Sequence, residues 1–167
     1  SSKVDLQAML DNDAPKKTIF KKTKIKKFST LAAIRLLDKT PIGESLEIPA
    51  RLTSTGTFVA LELEEEAAES LAAHNEYLCL SGINIISEAS ARFLIKHKEG
   101  LFLGVKDLND SIAKILSKYK GELSLDWVTQ LSELSAKCLA NHRGVLSLDG
   151  LVELSDQGFE YLSSHNG

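Results

Sequence analysis

Leucine returns at a fixed interval through the second half of this chain. From Leu71 the marker recurs at Leu94, Leu116, Leu139 and Leu162, in steps of 23, 22, 23 and 23 residues. Other positions move in step with it. Three residues before each marker stand Ala68, Ala91, Ala113, Ala136 and Phe159. Eight before stand Leu63, Ile86, Leu108, Leu131 and Leu154, and three after stand His74, His97, Tyr119, His142 and His165. So many aligned columns at one short period mean stacked copies of one supersecondary unit.

Each unit follows the same order. It opens on alternating leucines: Leu78 and Leu80, Leu101 and Leu103, Leu123 and Leu125, Leu146 and Leu148. A period of two over so short a run predicts a strand with one buried face. Then come an apolar residue (Ile83, Val105, Val128, Leu151) and the Ile86 column. Ser87, Asn109, Ser132 and Ser155 follow in one column, each able to accept from the free N–H groups of a helix's first turn. The next residue is acidic every time (Glu88, Asp110, Glu133, Asp156), which complements the positive end of a helix dipole. Gly100, Gly121, Gly144 and Gly167 close the units and read as helix stops.

A strand and a short helix in 23 residues cannot bury their own apolar face, but stacked units can. The expectation is an α/β chain with a parallel sheet on one face and short helices on the other. The pattern L-x-L-x-G-L-x-x-L-S-x-x-x-A-x-x-L-x-x-H-x-G, seen whole in LSLDGLVELSDQGFEYLSSHNG (146–167), resembles bacterial leucine-rich-repeat-like arrays. That resemblance covers 57–167, in about five units with the first degraded, and implies a short right-handed solenoid. The Asn that closes each turn in eukaryotic-type repeats is absent; Gly82 and Gly150 stand near that turn instead. The third unit is one residue short between Leu103 and Leu108, which reads as loss of the glycine column. The next unit fills that column with Trp127, the single tryptophan, either exposed or packed over the neighbouring gap.

The first 30 residues are chemically distinct. They hold eight lysines against three aspartates, a surplus of five positive charges, while the rest holds 12 basic and 20 acidic residues, a deficit of eight. Lys16, Lys17, Lys21, Lys22, Lys24, Lys26 and Lys27 interleave with Ile19, Phe20, Ile25 and Phe28. Residues 1–28 are therefore a basic N-terminal segment. Such a stretch suits a nucleic acid or an anionic surface, or its apolar residues cover the open end of the array. Ser29-Thr30 before LAAIRLL predicts a capped helix to about Lys39, and Leu46, Ile48 and Leu52 an irregular strand and turn. Residues 29–56 then form an N-terminal cap, since terminal repeats must close an open core edge.

Nothing in the chain reads as catalytic. There is no phosphate-binding glycine loop and no nucleophile elbow. The histidine column falls one per unit, and adjacent helices stand roughly 8–10 Å apart, too far for shared metal ligation. These histidines are expected to fill space and hydrogen-bond near helix ends. Cys79 and Cys138 make no disulfide framework and no metal motif, and suit free thiols in the cytoplasm. No cofactor or metal is called for, and no apolar run is long enough to span a membrane.

The expected function is protein binding through the outward positions of the strands, which stacking leaves free to vary. These are Cys79 and Ser81, Phe102 and Gly104, Ser124 and Asp126, Ser147 and Asp149. Phe102 and Trp127, taken as the aromatics near the strand face of the central units, are the expected anchors. The alternative is polyanion binding through residues 16–28. The last unit is expected to expose the flank of Leu146, Leu148, Leu151, Leu154 and Leu162, an edge that invites self-association or a continuing chain. The missing initiator Met points to a fragment or processed form.

Overall fold

The computed structural model describes residues 26–50 and 60–166. Short strands and helices alternate: β1 (Lys26–Phe28), α1 (Thr30–Lys39), β2 (Leu46–Glu47), β3 (Leu61–Leu63), α2 (Glu65–Ala72), β4 (Leu78–Leu80) and β5 (Ile83–Ile86). There follow α3 (Glu88–Leu94), β6 (Leu101–Leu103), α4 (Asp110–Leu116), β7 (Leu123–Ser124), α5 (Glu133–Leu139), β8 (Leu146–Ser147) and α6 (Asp156–Ser163). All the strand pairs among the described residues are parallel. The architecture is repeat-like α/β. Among the described residues no helix is long and apolar enough to cross a membrane.

The alternating leucines build one sheet, ordered β2-β4-β6-β7-β8. Leu46, Leu78, Leu101, Leu123 and Leu146 lie in one row across it. The inward leucines of β4, β6 and β7, together with Leu125, are at most 1% exposed. The leucine pattern predicts one sheet, and there are two. The segment ahead of each early helix is extended enough to pair as well, giving the three-stranded order β1-β3-β5, and a parallel bridge Gln130↔Glu153 carries the same pairing further along.

The helices start where the cap column predicts. Ser29, Ser87, Asn109, Ser132 and Ser155 each accept from the N–H three residues on. Glu64, ahead of α2, makes no such bond, consistent with a degraded first unit. Asp110 does more than face the helix dipole. It accepts from Ser132 and, at 2.7 Å, from the Ser135 hydroxyl, both one unit on, and these bonds hold its carboxyl below the usual range. Ala33, Ala68, Ala91, Ala113 and Ala136 are fully buried in one column. Phe159 stands in that column in α6 and is 67% exposed. The five leucines of the last unit are likewise only half-buried.

Two glycine readings are corrected by the geometry. Gly121 and Gly144 do not serve as left-handed helix stops: among the described glycines only Gly43 has a positive φ, and the C-caps Ile95, Ser117, Ala140 and Ser164 are right-handed. Glycine is needed because the chain crosses the preceding unit at close range. A Cβ on Gly144 would lie 2.2 Å from the Gly121 carbonyl oxygen. The one-residue deletion in the third unit also falls elsewhere than expected. A Cβ on Gly150 would strike the Asp126 oxygen at 1.9 Å, and a Cβ on Gly104 would strike the Ser81 oxygen at 2.0 Å. Gly104 therefore keeps the glycine column, is buried just past the end of β6, and does not face outward. The missing residue is the outward one that Ser81, Asp126 and Asp149 supply in other units.

Candidate partner-binding face

The strand ladder places Glu47, Cys79, Phe102, Ser124 and Ser147 in one row, alternating with buried leucines. Cys79 is half-buried, its Sγ 3.7 Å from Ser81 Oγ. Phe102 is half-buried and pairs with Tyr77, ring centroids 6.1 Å apart. Tyr77 is 45% exposed and belongs to the aromatic patch, a member that sequence reasoning missed. Its position one residue before Leu78 carried the signal. So did Gly100 in the same position one unit on, where a Cβ would lie 2.4 Å from the Tyr77 ring.

Trp127 is half-buried, with Lys106 Nζ 5.5 Å from its ring centroid. It packs against the shortened third unit. Elsewhere the residue in this column faces a carbonyl of the preceding unit's outward residue, and the third unit lacks that residue. The shortening of the third unit thus leaves room for a Cβ at Trp127 where Gly82, Gly104 and Gly150 have none.

Asp126 organises the far end of the face. Ser124 donates to its Oδ2 at 2.7 Å, the Asp149 N–H to its Oδ1 at 3.1 Å, and the Ser147 hydroxyl also to Oδ1. Burial alone pushes this carboxyl up, but the three donors outweigh it and leave it lowered. Alternation points Ser124 toward a partner; instead it is 5% exposed and spends its hydroxyl on Asp126. Ser147 is half-buried, and Asp149 is exposed.

The lysines of the basic segment divide. Lys26 and Lys27 lie in β1 beside the fully buried Phe28, while Lys16, Lys17, Lys21, Lys22 and Lys24 lie outside the described residues.

The histidine column forms a series of cross-unit hydrogen bonds. A carbonyl only accepts, so a neutral ring donates from the nitrogen nearer to one, which for His165 is Nε2, its Nδ1 lying 3.5 Å from Ala140 O. His74 Nε2 donates to Glu44 O at 3.0 Å, His142 Nε2 to Gly121 O at 3.1 Å and His165 Nε2 to Gly144 O at 3.2 Å. His97 Nδ1 approaches Ala72 O at 3.4 Å, and Tyr119 donates to Glu99 O. The rings of Tyr119, His142 and His165 stack 6.3 and 6.0 Å apart. Burial lowers the pKa of His97 and His142, while burial with Glu99 and Glu122 pushes Tyr119 up to about 12. His97 Nε2 and His142 Nδ1 are buried without a partner, so a second proton there would have no acceptor.

Two surface depressions lie away from the strand face. One is bordered by Glu69, His74, Phe93 and Lys96, the other by Asp107–Asn109 and Gln130–Ser132. No family model, no curated protein and no solved structure matches this chain.

Proposed function

We propose that this chain is a short leucine-rich-repeat-like solenoid with no catalytic role, acting in the cytoplasm as a scaffold that binds a protein partner through its strand face. The observation that carries this reading is the Tyr77–Phe102 ring pair, in which the exposed Tyr77 lies beside the half-buried Phe102 of an outward row whose other strand members are small or polar. Stacking requires the inward leucines and the glycines; nothing in it requires an aromatic there. Trp127 and Cys79 extend the patch, and Asp149 and Ser147 border it. Lys16–Lys27 support a second reading, contact with a polyanion, on the strength of their clustering.

The test is affinity capture with the full chain and with Phe102→Ala, Trp127→Ala. Truncating anchors weakens binding by roughly 2 kcal/mol or more, about thirtyfold, while sparing the fold. A captured partner retained in full by the double variant removes the strand face as the site. Retention that instead collapses with rising salt and with loss of the lysines favours the polyanion reading.

A further inference from the structure

The outward face has a charge character as well as an aromatic patch. Across positions 45–49, 77–81, 100–103, 122–126 and 145–149 stand four carboxylates, Glu47, Glu122, Asp126 and Asp149, and no lysine or arginine. Glu47 and Asp149 are exposed and Glu122 is half-buried. The aromatic members also favour cations, because the ring face carries the negative part of the quadrupole. The molecule itself sets Lys106 over Trp127, as it sets Lys96 over Phe93 and Lys137 over Tyr161.

We infer that the segment bound by this face is a lysine- and arginine-rich polypeptide stretch carrying an apolar side chain. The inference rests on the strand-face reading and gives it a partner chemistry. Cationic heads meet Glu47, Glu122 and Asp149, and an arginine stacks on Tyr77 or Phe102. The apolar side chain lies against Phe102 beside Cys79. Asp126 adds charge, though its oxygens already hold three donors. The same carboxylates repel phosphate, so a nucleic acid does not fit this face.

The probe is a fluorescein-labelled nonapeptide of alternating lysine and arginine with one phenylalanine and one leucine. Its counterpart has glutamate at every basic position. Anisotropy is read on the full chain at 50 and 300 mM NaCl. One variant, Glu122→Lys with Asp149→Lys, reverses charge on the face. A second, Glu66→Lys with Glu69→Lys on α2, changes the net charge equally elsewhere. Circular dichroism and thermal melting check that each folds. The basic peptide binds, the acidic one does not, and reversal on the face weakens binding about tenfold, against less than about twofold for the control.

Equal losses in the two charge variants, or no binding of the basic peptide at 50 mM NaCl, overturn the inference. A glutamate peptide that binds and is lost with Phe102→Ser overturns the basic chemistry and leaves the face standing. Binding of any probe that ignores both Phe102→Ser and the face reversal removes the face itself.

Discussion

Gly104→Ala tests how the units stack. The added methyl would sit 2.0 Å from the Ser81 carbonyl oxygen and 2.6 Å from its carbon. Ordinary contact between such atoms begins near ~3.5 Å, so two backbone segments must separate by more than about 1 Å. Neither is the free end of a side chain, so the strain cannot be relieved by a rotamer change. The Gly104 N–H donates to Leu80 O at 3.1 Å in the same place, and that bond is lost in the shift. Overpacking typically costs about 1–3 kcal/mol and a lost hydrogen bond about 1 kcal/mol, which together give roughly 2–4 kcal/mol. Equilibrium urea unfolding followed by circular dichroism reads this as a fall in midpoint at constant slope. A second perturbation isolates the deletion. Inserting one serine between Leu103 and Gly104 restores the missing outward residue and with it the carbonyl that Trp127 avoids. The insertion should destabilise the native chain more than it destabilises Trp127→Gly, with a coupling of about 1 kcal/mol or more. Additivity within about 0.5 kcal/mol, or a Gly104→Ala loss below that figure, would refute the close-crossing account of these columns.

Leu125→Ala empties a position that is 0% exposed and should lower unfolding free energy by about 2–5 kcal/mol; a shift well under 1 kcal/mol would mean the row is not core. His97 and His142 have folded pKa values below the ordinary 6.5, so the unfolded chain takes up protons that the folded chain refuses. Stability should be level above about pH 7.5 and fall as pH drops through 6.5, with a limiting slope of about 1.4 kcal/mol per pH unit for each histidine. His142→Tyr, which repeats the residue that Tyr119 supplies in the same column, should remove half of that slope between pH 7 and 5; an unchanged profile would assign it to other groups.

What the sequence disclosed was whatever depends on neighbours in the chain. The cap column at Ser87, Asn109, Ser132 and Ser155 is local chemistry, and helices begin one residue past each. The leucine alternation predicts parallel strands through the rows where they lie. Contacts between units are harder to read. A gap in Leu103-Gly104-Val105 can be set on either side of the glycine, and only the Ser81 carbonyl beneath it decides. Ser124 reads as an outward serine because alternation says where a side chain points, not what covers it. The close of the basic stretch is also two-sided. Lys26 and Lys27 solvate a strand whose last residue, Phe28, takes the column of Ile86 and is wholly buried. Tyr77 shares the parity of the outward Cys79 and Ser81 but stands ahead of the first leucine, and so falls outside the alternating run.

The columns fall into two kinds, and the difference explains where a binding function can reside. Inward leucines, the buried alanines, the crossing glycines and the carbonyl-bonded histidines each touch the unit before or after, so a change in one is felt by its neighbours. The row of Glu47, Cys79, Phe102, Ser124 and Ser147, its members about 4.8 Å apart, makes its contacts at the surface, Phe102 with Tyr77 and the two serines with Asp126, and holds an acid, a thiol, an aromatic and two hydroxyls on the same backbone. Trp127 is where the two kinds are coupled. Its indole contributes to the outward surface, yet its Cβ is admitted only because the third unit is a residue short. The aromatic and the deletion therefore act as one feature. Changing Phe102 alters the surface alone, whereas restoring the missing residue alters the surface and the stacking together.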